Sequence, residues 1–150
     1  MSAESRSFVH RQLVQFVDTD MAGIVHFSNF FRYMEAAEDA FLRTVGVPLV
    51  HSDQGSHASL PRLSARCDFR SPARYGDTLE VAVVVRELRE KTIRYAFEFS
   101  TLGRRVAEGE VLAIYCEMAD QQLRSVPLPE SFRRALEPYL VPPQREEKEG

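Results

Sequence analysis

A chain of 150 residues with 44% apolar and 27% charged side chains has the size and balance of one compact domain, long enough to bury a core without disulfides or a structural metal. Lys and Arg number 19 against 22 Asp and Glu, and the net charge of -3 supplies no general pull toward a nucleic-acid backbone or an anionic membrane. No apolar run approaches bilayer-spanning length, and the polar stretch 1–7 leads into no apolar signal segment, so the expectation is a single cytoplasmic domain over 1–150 with its body at about 8–140.

The first strand is predicted where Phe8, His10, Gln12, Val14 and Phe16 alternate with Val9, Arg11, Leu13, Gln15 and Val17. From Phe27 to Val45 the period becomes helical, with Phe30, Met34, Ala37, Phe41 and Val45 in one apolar series and only a narrow polar stripe of Arg32, Glu35, Asp39 and Arg43. Ser28 or Asn29 is the expected cap, and Gly46 followed by Pro48 the stop. Residues 49–60 read as a polar loop of the kind that often carries function. Strands then follow over 62–70 and 78–87, a charged turn covers 89–91, and 93–102 shows the cleanest alternation in the chain. A last strand over 106–118 is apolar on both faces, a short helix spans 130–140, and the tail 141–150 is expected to fray.

Strand, long helix and then four strands joined by short turns make an α+β pattern with a largely antiparallel sheet. One sheet covers one side of a helix, and this helix is apolar around most of its circumference. A second copy of the chain is therefore the expected partner, in a homodimer or homotetramer.

Chemistry concentrates in Phe16-Val-Asp18-Thr-Asp20-Met-Ala-Gly23-Ile-Val-His26-Phe-Ser-Asn29, which sets two carboxylates before a helix N-terminus. Capping and charge complementarity alone explain such a pair, at about 0.3–1 kcal/mol. A calcium loop does not: counting from Asp18, the fifth position is Ala22 and the twelfth is Asn29, so the bidentate Glu is missing. His51, Asp53 and His57 have no tight ligand spacing, and no metal is expected. No G-x-S-x-G is present for a serine hydrolase. Cys67 and Cys116 fall in strand patterns and are expected to be packed and inert.

The run Asp18-Thr-Asp20-Met-Ala-Gly23-Ile-Val, followed by Phe27-Ser-Asn29-Phe-Phe-Arg-Tyr-Met-Glu35, resembles the signature of the 4-hydroxybenzoyl-CoA thioesterase family of hot-dog proteins. The later run Cys67-Asp-Phe-Arg-Ser-Pro-Ala-Arg-Tyr-Gly-Asp77 resembles it too, and the similarity spans about residues 8–120. The resemblance implies a hot-dog fold, a long central helix wrapped by a curved antiparallel sheet of about five strands, with acyl-CoA sites where subunits meet. It further implies acyl-CoA hydrolysis to a carboxylic acid and free CoA, with no cofactor beyond the CoA of the substrate. The family's catalytic carboxylate matches Asp20, acting as nucleophile or as general base on water. An Asp with an ordinary pKa near ~3.9 is ionised at neutral pH, which suits either role.

The family's carbonyl-polarising amide matches the backbone N–H of Phe27, where a helix end offers free donors and a positive dipole. One branch of the family places a His at that position, and this chain has Phe27 there. His26 is a candidate pocket or substrate contact, and Asn29 a helix cap or a pocket donor. Arg89, Lys91 and Thr92 match positions that bind the CoA nucleotide in part of the family, whereas Glu90 replaces a basic residue; a solvated hairpin turn is the alternative reading. A non-catalytic acyl-binding module and an acyl-carrier-protein thioesterase stand as rival functions, because fold alone does not choose between them.

Overall fold

In the computed structural model, which describes residues 6–49 and 57–143, the elements run β1 (Phe8–Leu13), a 3-10 turn (Phe16–Asp18), the long helix α1 (Ser28–Thr44), β2 (His57–Ser59), β3 (Arg62–Phe69), β4 (Thr78–Leu88), β5 (Thr92–Thr101), β6 (Arg104–Ile114), β7 (Cys116–Ala119), β8 (Gln122–Ser125), α2 (Glu130–Leu136) and a second 3-10 turn (Glu137–Tyr139). Five strands pair in the order β1-β4-β5-β6-β3, and every neighbouring pair is antiparallel. A smaller sheet orders β2-β7-β8. This is the expected α+β hot-dog arrangement, in which α1 packs on the inner face of the larger sheet.

That face is built by alternation. Leu79, Val81, Val83 and Val85 of β4, and Ile93, Tyr95, Phe97 and Phe99 of β5, are buried, and they meet Phe30, Met34, Ala37 and Phe41 of α1. Each large side chain so buried stabilises the fold by about 1.5–3 kcal/mol. Gly109 of β6 lies under Met34, where a Cβ would overlap the thioether, so the missing side chain lets helix and sheet approach. The helix ends as anticipated at Gly46 (φ +86°): the Gly46 N–H donates to the Arg43 carbonyl at 3.2 Å and the Val47 N–H to Leu42 at 2.9 Å.

Several expectations change. The first strand ends at Leu13 rather than running to Val17, because its partner β4 begins at Thr78; Val14 instead pairs with the preceding loop through Asp77 and Gly76. The residues left over wind into the 3-10 turn, with Phe16 and Val17 outward. The long last strand is two strands in two sheets. β5 starts at Thr92, so the ladder runs out after Ile114, and the chain passes to β7 at Cys116. A tight turn at Asp120 and Gln121, both at positive φ, then adds the unforeseen β8. Part of the polar loop is strand β2, while residues 50–56, including His51 and Asp53, lie outside the described residues. The tail does not fray at once: the Val141 N–H donates to the Val85 carbonyl at 2.8 Å. Among the described residues, no helix is long and apolar enough to cross a membrane.

Candidate active site

Residues 19–25 form a small hairpin standing on the N-terminus of α1. Thr19 bridges Val25, the Asp20 N–H donates to the Ile24 carbonyl at 2.8 Å, and the Gly23 N–H donates back to the Asp20 carbonyl at 3.0 Å. Gly23 sits at φ +79°, a conformation that strains residues with a Cβ. The Val25 N–H donates to Ala73, which ties the hairpin to the loop after β3. At its tip Asp20 is exposed, and its Oδ1 accepts the Ala22 N–H at 2.8 Å. Asp20, Ile24, Phe27, Phe30, Phe69 and Arg70 are among the residues lining one cavity of about 470 Å³. Edge-to-face contacts of Phe30 with Phe69 and Phe99, each at 5.3 Å between centroids, make its wall aromatic.

The helix start, where Phe27 lines that cavity, has one amide without an acceptor among the described residues. The amides of Asn29 and Phe30 turn back onto the carbonyls of His26 and Phe27, and the Ser28 N–H donates to His26 Nδ1 at 3.3 Å. The Phe27 N–H has no acceptor among the described residues, and it lies at the positive end of the helix dipole. His26 thus does the capping expected of Ser28 or Asn29. Its Nδ1 also lies 2.7 Å from Ser28 Oγ, and its ring stacks on Phe27 at 4.6 Å.

Asn29 is buried and turned inward. Its Nδ2 donates to the Asp18 carbonyl at 2.8 Å, and its Oδ1 accepts from Arg32 at 3.4 Å, so its polar atoms are engaged within the chain. Asp18 is buried as well, and its Oδ2 accepts from the Gln15 N–H at 3.0 Å and the Tyr33 hydroxyl at 2.8 Å. Burial first, and then the Asp18 carboxylate, push the Tyr33 phenol above its ordinary range. Tyr33 lies outside the polar stripe read from the sequence, and its spacing from Asp18 carries no local signal.

Arg89, Lys91 and Thr92 are not brought to this cavity. They form the β4–β5 hairpin at the far end of β4 from the Asp20 loop, separated by an 11-residue strand, roughly 33–37 Å. Arg89 is paired with Glu87 at 2.6 Å, and Lys91 is half-buried. A further buried carboxylate, Glu38 on α1, went unread among its apolar neighbours. Arg62 clasps it at 2.6 and 3.0 Å, and the Tyr95 hydroxyl is buried beside the pair without a well-formed hydrogen bond. Both cysteines are free; burial and the neighbouring Asp68 push the Cys67 thiol up to about 11. Among the described residues no three His, Cys, Asp or Glu side chains converge as a metal site.

Comparison with known proteins identifies the family. Residues 14–136 match the family described as the thioesterase-like superfamily. A putative esterase of Aquifex aeolicus is 35% identical over 121 residues, covering 80% of this chain and 91% of the relative. A 1,4-dihydroxy-2-naphthoyl-CoA hydrolase of Synechococcus elongatus is 30% identical over 125 residues, covering 82% and 90%. The solved structure of a gentisyl-coenzyme A thioesterase superposes with a TM-score of 0.74 at 30% identity, over 86% of this chain and 98% of that one. With a hot-dog fold, a D-x-D hairpin on a helix N-terminus and matches spanning most of its length, the chain belongs to the thioesterase-like superfamily.

Proposed function

We propose that the protein is an acyl-CoA thioesterase that uses water to split a thioester into a carboxylic acid and free CoA. The observation that carries this reading is the shared cavity, with the exposed Asp20 carboxylate and the Phe27 residue of the helix terminus on one apolar wall. In the proposed reaction Asp20 attacks the thioester carbon to form an acyl anhydride, which water then hydrolyses to the acid and free Asp20, or Asp20 takes a proton from a water that attacks the carbon directly. The negative charge that develops on the carbonyl oxygen is met by the Phe27 N–H and the helix dipole. The sulfur leaves with the electron pair of the broken C–S bond and takes up a proton from the water consumed, so that it is released as the CoA thiol.

Phe27, Phe30 and Phe69 favour a flat acyl group, and an aromatic acyl-CoA is the substrate class this reading selects. The relatives named for naphthoyl-CoA and gentisyl-coenzyme A substrates support the same choice.

The reading includes a homodimer or larger assembly. Support comes from the exposed edge strand β3, with Leu63 and Phe69 about half exposed, and from Phe27, Met21, Phe16 and Tyr75 exposed around the hairpin. It also comes from the distance between Asp20 and the Arg89–Thr92 hairpin, since a hairpin that grips CoA phosphates must be delivered by another copy. The test is free-thiol release from benzoyl-, hydroxybenzoyl- and naphthoyl-CoA beside straight-chain acyl-CoA and acyl-carrier-protein thioesters, for the native protein and its Asp20→Asn variant. Hydrolysis of aryl-CoA lost on substitution is expected. Equal rates for the two proteins overturn the assignment of Asp20, and tight acyl-CoA binding without any hydrolysis returns the protein to the binding modules.

A further inference from the structure

We infer that Tyr33 is a positioning residue for the hydrolysis, acting through Asp18 to hold the hairpin that carries Asp20 in register with the helix terminus that carries Phe27. The inference rests on the roles proposed above for Asp20 and Phe27.

Asp18 is the foot of the hairpin, and four donors converge on it. Its side-chain Oδ2 accepts from the Gln15 N–H at 3.0 Å and the Tyr33 hydroxyl at 2.8 Å. Its carbonyl accepts from the His26 N–H at 2.9 Å and Asn29 Nδ2 at 2.8 Å. These donors come from the start of the 3-10 turn after β1, from the residue that follows the hairpin and from two consecutive turns of α1. Asp20 stands two residues after Asp18, and Phe27 stands one residue after His26. Both reacting groups therefore hang within two residues of one clamp, and movement of Asp18 relative to the helix changes the distance between them.

Tyr33 supplies the clamp's side-chain anchor from the helix interior, where its ring is 4% exposed and meets Phe30 edge to face at 6.0 Å. The core needs the ring and not the hydroxyl, because a Phe fills the same space. A buried phenol and a buried carboxylate cost desolvation that an apolar pair avoids. Their pairing next to Asp20 has its effect where displacement matters most, since misplacing a reacting group by about 1 Å costs on the order of 10²-fold in rate.

The test is a double-mutant cycle in thioester hydrolysis with Tyr33→Phe, Asp20→Asn and the double variant, folding being checked by circular dichroism and thermal melting. Tyr33→Phe alone is expected to lower kcat about ten- to hundred-fold while KM stays within about two-fold. On the Asp20→Asn background the same change is expected to cost less than about two-fold, because there is no carboxylate left to position. An equal loss in both backgrounds, or an undiminished kcat in a folded Tyr33→Phe protein, overturns the inference. Should Tyr33→Phe fold poorly, Asp18→Ala, which removes the acceptor of the phenol, replaces it in the same cycle and is read the same way. If Asp20→Asn alone hydrolyses as fast as the native protein, the proposed function fails with this inference. An Asp20-dependent enzyme indifferent to Tyr33→Phe sinks the inference alone.

Discussion

The two halves of α1 each bury a carboxylate and use it differently. Toward the amino end, Asp18 packs against the helix and accepts from a backbone amide and a phenol; these bonds hold a loop whose other carboxylate, Asp20, faces outward with a single amide on one oxygen. Toward the carboxyl end, both oxygens of Glu38 are taken by the forked Arg62 guanidinium, which fastens the helix to the edge strand β3. A carboxylate clasped on both oxygens has no direction left for a substrate. Burial and charge thus mark structure at both ends, and the proposed reactivity is assigned instead to the exposed Asp20 carboxylate and the Phe27 amide, which has no acceptor among the described residues.

The largest expected effect separates these halves directly. Asp20→Asn should lower kcat/KM for the best aryl-CoA by on the order of 10³-fold or more without lowering the melting temperature, measured by thiol release and calorimetry. Glu38→Ala should do the reverse. It leaves the Arg62 guanidinium without its counter-charge, and since that side chain is 32% exposed and still donates to the Leu60 carbonyl, the loss is discounted to about 2–3 kcal/mol in urea unfolding, with kcat per folded molecule unchanged. A rate loss in Glu38→Ala that rivals the one in Asp20→Asn would break the comparison.

Smaller effects sharpen it. Replacing Arg89 and Lys91 together by Ala should raise KM about three- to ten-fold with kcat steady, and the difference should shrink in high salt. An unchanged KM makes that hairpin a solvated turn. Cys67, on the edge strand that Glu38 helps to hold, should alkylate slowly. With its pKa pushed up to about 11 from 9.0, its thiolate fraction at pH 8 is about 100-fold below that of an unperturbed thiol, so its rate should keep climbing past pH 10 where a free thiol levels off. The folded protein keeps this proton to higher pH than the unfolded chain does. The associated stability is therefore present below the ordinary thiol range and is lost as pH rises through about 11. An alkylation rate that levels off near pH 9 contradicts the burial assigned to Cys67.

Periodicity located α1 within a residue at each end, because an apolar face buried against a sheet must recur every third or fourth residue; the polar stripe of Arg32, Glu35, Asp39 and Arg43 is exposed as read. The D-x-D segment stood out by its place before a helix, but its residues alone were explained by capping, and a chemical role for Asp20 entered only through the resemblance to the thioesterase signature. Less was legible where one element's length depends on another's. β1 stops because β4 begins at Thr78, and β6 stops because β5 begins at Thr92.

From composition, hydrophobic period and the Asp18–Asn29 motif, the sequence by itself determined an α+β domain with a long buried helix and a carboxylate at its amino end. Only the tertiary structure decided that His26 caps the helix, that Asn29 and Tyr33 grip Asp18, that Glu38 is spent on Arg62, and that the Arg89–Thr92 hairpin lies at the opposite end of β4 from Asp20. The reason is physical. Hydrophobic burial is read residue by residue along the chain, whereas a hydrogen bond between side chains 15 or 24 positions apart exists only once packing has brought them within 3 Å.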